Sequence, residues 1–272
     1  MIEQKIDNRK AAPGQLLIRV NAFNIDTYGL ALTGKSDFPV LACAGEIADS
    51  SDGHFQKGQR VIAVAEMNMG CSEWDAPEYI AVPASLVFAA NSELSFRELA
   101  AIPDSFLSVW CTLFKNMKLS AEDILLVRGA ERAAGDAAIQ IAKALGCKVV
   151  ATTSRALKMS LLTMADAAVL DIGSLDRAMS GVTKVIDLRD DGVFIDMLTD
   201  LPAQETVDEM FRFMREHELH PKIEKLFDLA DMDEAIEVRN GGRIDGKIIV
   251  VNYDDEDEET TNWLNDLADL FG

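Results

Sequence analysis

An α/β chain, strand-rich at first and carrying a parallel sheet later, is predicted by three features of the sequence. β-Branched runs crowd residues 14–92, strand and helix patterns alternate over residues 124–198, and a last apolar run at 246–252 returns to strand chemistry. The first strand spans residues 15–22, behind the turn signal Pro13-Gly14. A second spans 59–65, behind Ser51, Gly53 and Lys57-Gly58, and a third spans 78–83. Ser95 and Glu98 have the spacing of a capping box, so a helix is expected over 95–114, interrupted near Pro103 because proline cannot donate the helical hydrogen bond. Residues 124–128, 136–145 and 148–152 read as buried strand, helix and buried strand. Further strands are expected near 168–170, 184–188 and 193–197, helices over 206–217 and 232–240, and the closing strand over 246–252.

The strand–turn–helix–strand unit at 124–152 has the order of a dinucleotide-binding, Rossmann-type βαβ unit. In such a turn the first glycine bends the chain, the second lets backbone approach a diphosphate, and the third lets helix pack on strand. Gly129 and Gly135 hold the outer positions, whereas Arg132 stands where the middle glycine belongs. Its Cβ crowds a diphosphate, while its guanidinium is suited to pair with one. A site selective for the unphosphorylated cofactor places an acid about 20 residues after the turn, on the ribose hydroxyls. Here that stretch reads Thr152, Thr153, Ser154, Arg155, with Lys158 one turn on. Hydroxyls and two cations suit a 2′-phosphate, so NADPH is the expected cofactor, with Gly129, Arg132, Gly135, Thr152, Ser154, Arg155 and Lys158 as its residues.

Composition narrows the classes. The chain has 272 residues, 49% of them hydrophobic, enough for two packed domains. Its net charge is −20, and the eight acids among the last nineteen residues leave −12 for the rest. An acidic body disfavours nucleic acid and anionic membranes, whose phosphates need a basic face. The first residues lack a signal-peptide core and no apolar stretch is long enough to span a bilayer, so a cytoplasmic location is the expectation. Cys43, Cys71, Cys111 and Cys147 are scattered and only three histidines occur, which suggests buried thiols rather than disulfides or a metal site.

These pieces, in this order, resemble the zinc-free quinone oxidoreductase branch of the medium-chain dehydrogenase/reductase family. The resemblance runs from about residue 13 to 252 and rests on Pro13-Gly14-Gln15, Ile25 to Tyr28, Lys57 to Val61, Ala76 to Tyr79, Leu107 to Trp110, Ala138 to Leu145, Ala165 to Ala167, and Gly246-Lys247 with the apolar run after them. It implies a GroES-like domain over 1–95, with 220–253 returning to it, and a Rossmann-like domain over 96–219. It also implies NADPH-dependent hydride transfer to a quinone or α,β-unsaturated carbonyl. Tyr28, on the floor of the cleft, and Ser108, in place of the family's usual threonine, become the catalytic candidates. Lys158 aligns with the family's NADPH lysine, Lys247 joins the cofactor residues, and a homodimer is implied. Zinc is not, because the family's Gly-His-Glu ligand segment corresponds here to residues 40–47, with Cys43 and Glu46 but no histidine.

Three departures qualify this likeness. Arg132 interrupts the fingerprint, and Phe23 stands where the family has an asparagine. The 59-residue spacing from Asp187 to Gly246 is shorter than the family's, which predicts loss of the helix after the strand ending at Asp187 and of much of the far half of the sheet. Residues 254–259 form an acidic block followed by Trp263, Leu264, Leu267, Leu270 and Phe271 on one helical face, the pattern of a docking peptide for a protein partner. A reductase is the favoured reading. The alternative is a degenerate relative that keeps the fold to bind a partner through residues 254–272.

Overall fold

The computed structural model describes residues 10–25, 40–51, 53–66, 78–170, 180–189, 192–241 and 244–252. Strand-forming runs in the first part assemble with the last two strands into one seven-stranded sheet. Its members are β1 (Gln15–Asn24), β2 (Val40–Ser50), β3 (Arg60–Glu66), β4 (Tyr79–Pro83), β5 (Val87–Ala89), β10 (Ile223–Asp228) and β11 (Lys247–Val251). The order is β10-β11-β1-β2-β3-β5, with β4 also paired to β1, and only β10 with β11 is parallel. Alternation along β1 sends neighbouring side chains to opposite faces: Ala22 joins the core shared with the helices, while Phe23 joins a second core enclosed by the sheet.

A second, wholly parallel sheet has the order β8-β7-β6-β9. It comprises β6 (Ile124–Arg128), β7 (Lys148–Thr153), β8 (Ala167–Leu170) and β9 (Lys184–Asp187). This is the 3-2-1-4 part of a doubly wound sheet, and among the described residues no strand continues it beyond β9. The fold and the shortened sheet follow the expectation from sequence, but the helix expected to be lost after β9 is present. The strand expected at 193–197 is instead a helix, Gly192–Thr199. Phe194 and Met197 are buried there and Val193 and Leu198 pack against the same core. Apolar positions at 193, 194, 197 and 198 fit one helical face, so this short run follows the helical period and not that of a strand.

Helices join the two sheets. Ser95 and Glu98 complete the capping box of α1 (Phe96–Ala100). Pro103 then opens a wide turn, Pro103–Leu107, in which the Leu107 amide reaches the Ile102 carbonyl five residues back at 3.0 Å. The chain continues through α2 (Ser108–Trp110) to residue 116. The helix over Gln204–Glu216 buries Val207, Met210, Phe211 and Met214, an i, i+3, i+4, i+7 stripe, and Phe213 stacks 5.2 Å from Trp110. Cys43, Cys111 and Cys147 are buried and free, and burial pushes the Cys43 thiol to about 12 and Cys111 to about 11, so both stay protonated at neutral pH. Cys71 lies outside the described residues, as do Tyr28 and residues 254–272. No helix among the described residues is long and apolar enough to cross a membrane.

Candidate functional site

The site begins where β6 ends. Gly129 adopts φ +72°, and a Cβ there would stand 2.7 Å from the Leu188 carbonyl oxygen at the end of the neighbouring strand. A Cβ on Gly135 would stand 2.5 Å from the Gly129 carbonyl oxygen and 2.6 Å from Ala130 Cα. Both outer glycines therefore do structural work: one lets the chain turn left-handed beside β9, the other lets the helix α3 (Ala133–Leu145) press onto the turn. Arg132, between them, is the exposed N-cap of α3 in extended backbone with φ −75°, and its side chain does not cap the helix. First-turn amides of a helix have no intrahelical acceptor, and Ala133 and Ala134 of that first turn line a cleft. Asp136, also in that first turn, has its carboxyl raised by burial, against the pull of Gln140 and Lys222.

The cleft is about 230 Å³ and is lined by Asp104, Ser108, Arg132, Leu188, Asp245 and Lys247 among others. The wide turn after Pro103 aims Asp104 and Ser108, one helical turn apart, into it. Ser108 is buried and donates to the Ser105 carbonyl at 3.1 Å. Asp104 is buried and pairs with the Lys247 ammonium, while Asn24 Nδ2 donates to both its oxygens at 3.1 Å. This closed network ties the helix to β1 and β11 and holds Lys247 at the cleft, so the pair behaves as one positioned unit.

The corner beyond β7 is arranged differently. Thr152 is fully buried with no hydrogen-bond partner for Oγ1 among the described residues, Thr153 accepts from the Arg155 amide at 3.0 Å, and Ser154 is exposed. Arg155 pairs with Asp245 and approaches Glu131 at 3.5 Å, and Lys158 lies 2.6 Å from the second oxygen of Asp245. Asp245 is 2% exposed at its side chain. Asp104, Asn24, Glu131 and Asp245 were not anticipated. Asp104 had a signal, a lone acid in the apolar run after Pro103; Asp245 had only its place beside Gly246-Lys247.

The geometry can be set against a nicotinamide dinucleotide. Its turn fits in shape: a Cβ at Gly129 or Gly135 would meet the chain's own backbone, and Ala133 and Ala134, at the start of α3, line the cleft. The Thr152 hydroxyl is unpartnered among the described residues but fully buried, and Thr152 does not line the cleft. The two cations for a 2′-phosphate are present but bridged by carboxylates. Among the described residues, no group of three His, Cys, Asp or Glu side chains could hold a metal ion. Another cleft, about 510 Å³, is lined by Leu94, Glu98, Met214 and His220 and shares no residue with the turn.

Comparison with known proteins follows the same lines. No protein-family model matches the chain. It is 31% identical over 148 residues to the quinone oxidoreductase of Sus scrofa, a match that spans 51% of this chain and 44% of that protein. The chain thus covers less than half the length of that relative. A probable oxidoreductase from Mycobacterium abscessus shares the fold with a TM-score of 0.70 at 20% identity, covering 89% of this chain and 91% of that one. The quinone oxidoreductase from Thermus thermophilus, solved also as a complex with NADPH, gives a TM-score of 0.63 at 22% identity over 89% and 92% of the two chains. In sequence over half its length and in fold over about nine-tenths, the chain is similar to quinone oxidoreductases built on the two-part architecture of the medium-chain dehydrogenase/reductase family.

Proposed function

We propose that the chain is a zinc-independent oxidoreductase that binds a nicotinamide dinucleotide along the 129–135 turn and reduces a quinone or α,β-unsaturated carbonyl. The observation that carries this reading is the turn itself, whose two glycines admit no Cβ and whose following helix opens onto a cleft floored by Ser108 and Lys247. The similarity to quinone oxidoreductases supports the acceptor class. The phosphorylated form, NADPH, is the finer part of the proposal; it rests on Arg155 and Lys158, which a 2′-phosphate has to win from Asp245. When bound, the nicotinamide supplies the hydride. Gly129 and Gly135 shape the turn that receives the diphosphate, and Arg132, exposed at the rim, pairs with it. The Ser108 hydroxyl turns from the Ser105 carbonyl to donate to the substrate oxygen as charge develops there, and Lys247, fixed by Asp104, adds positive potential. Tyr28 joins Ser108 as a second donor in this proposal.

One observation favours the alternative, a relative that keeps the fold to bind a partner. A cleft of about 230 Å³ is below the usual range for small-molecule sites, roughly 300–1,000 Å³. Calorimetric titration of the purified protein with NADPH and NADH, alongside Arg132→Gly, separates the two. Micromolar binding to wild type, weakened about tenfold in Arg132→Gly, supports the oxidoreductase and justifies a screen of quinones and enals. Binding only after Arg132→Gly means that the arginine blocks the turn and favours the partner-binding alternative.

A further inference from the structure

We propose that Asp245 is an internal anion that occupies the 2′-phosphate position of the cofactor site and so sets the discrimination between phosphorylated and unphosphorylated dinucleotides. The inference rests on the dinucleotide reading above and deepens it. One oxygen of Asp245 meets the Arg155 guanidinium and the other lies 2.6 Å from Lys158 Nζ, so a single carboxylate bridges both cations that a phosphate would need. Glu131 also approaches Arg155, at 3.5 Å from Nε. Two cations and two carboxylates make the corner formally neutral, in a place where a phosphate dianion needs net positive charge.

Burial decides which partner is reachable. Asp245 is 2% exposed, whereas Arg155 and Lys158 are 40% and 27% exposed, so the cations face outward with their acid behind them. The carboxylate is also held by its own backbone. The amides of Asp245 and Gly246 both donate to Glu224 Oε2, at 2.9 and 2.7 Å, and the Lys247 amide donates to the Lys222 carbonyl at 2.8 Å. A Cβ on Gly246 would lie 2.7 Å from Glu224 Cβ, so this stretch sits tightly on β10. Asp245 therefore arrives at the cations because β10 and β11 pair, with no ligand needed to draw it in. An unphosphorylated ribose leaves the bridge intact, whereas a 2′-phosphate has to break it. Asp245 also lines the cleft, which puts the bridge at the edge of the same site as the turn.

The test titrates wild type and Asp245→Asn with NADPH, NADH, adenosine 2′-monophosphate and adenosine 5′-monophosphate. The expected result is a gain of tenfold or more for NADPH and for the 2′-monophosphate in the variant, with NADH and the 5′-monophosphate unchanged within threefold. A variant that binds NADPH no better than wild type, or worse, overturns the inference. If neither protein binds either dinucleotide, the oxidoreductase reading fails, and the 2′-monophosphate decides the inference: a gain over wild type sustains it, and equal or no binding overturns it. Should Asp245→Asn not fold, Glu131→Gln, which removes the second carboxylate, is expected to give a smaller gain for NADPH alone, and no gain overturns the inference.

Discussion

The turn at 129–135 and the corner at 152–158 follow adjacent strands of one sheet, β6 and β7, yet they are built in opposite ways. The turn is complete within seven consecutive residues: its glycines, its N-cap and the start of its helix are neighbours in the chain. The corner has its cations in sequence but its anions from elsewhere, Glu131 from the turn and Asp245 from the approach to β11. A local motif can be recognised in a string of letters, because its geometry depends on backbone conformation over a few residues. A corner neutralised by a remote carboxylate cannot, because its charge is set by which strands pair.

Breaking the remotely assembled side is expected to have the largest effect. Lys247 and Asp104 are 143 positions apart and buried together. Lys247→Met removes the ammonium from a buried carboxylate that Asn24 also holds, and should cost about 3–5 kcal/mol, read by denaturant unfolding. A cost below about 1 kcal/mol would mean that the pair is solvated and the cleft floor is not a fixed unit.

The locally built side should respond next. Gly135→Ala forces a Cβ against the backbone of Gly129 and Ala130, neither of which can swing away, and is expected to cost about 2–3 kcal/mol and to abolish dinucleotide binding. An alanine variant that binds as wild type does would show that the turn has slack and that its sequence signature is not a steric one.

The smallest expected effect comes from a residue that has both kinds of partner. Glu98 completes a local capping box with Ser95 and also meets His220, which lies 122 positions away, at 2.7 Å. Burial pushes its carboxyl upward, but hydrogen bonds from Ser95 and His220 outweigh this and hold it below its ordinary value of 4.5. A depressed folded-state value means stability that is present above that ordinary value and lost as pH falls through the lower, folded one. Glu98→Ala should therefore cost about 1 kcal/mol near neutrality and flatten the stability profile below pH 4.5. Thermal unfolding from pH 3 to 7, roughly the span over which a carboxylate titrates, reads both; parallel profiles for variant and wild type would deny the shift.

Legibility followed the same division. The strands at 15–22, 124–128 and 148–152, the capping box, the helices near 206–217 and 232–240 and the truncated parallel sheet were readable because apolar period and capping chemistry act over neighbouring residues. The run at 193–197 is helical and not extended, since five apolar-rich residues fit either period until a packing surface is known. β2, with its Ala, Cys and Gly, and β10, with Glu and Lys, carried too weak a pattern to be found at all.

By itself the sequence determined the two-part α/β organisation, the glycine turn and the cations at 155 and 158, because each is encoded in residues close along the chain. Tertiary structure alone decided that Asp104 and Lys247 share one buried network and that a buried Asp245 bridges Arg155 and Lys158. The physical reason is that Coulomb pairing depends on distance in space and on exclusion of water, and strand pairing sets both between residues that the chain itself keeps far apart.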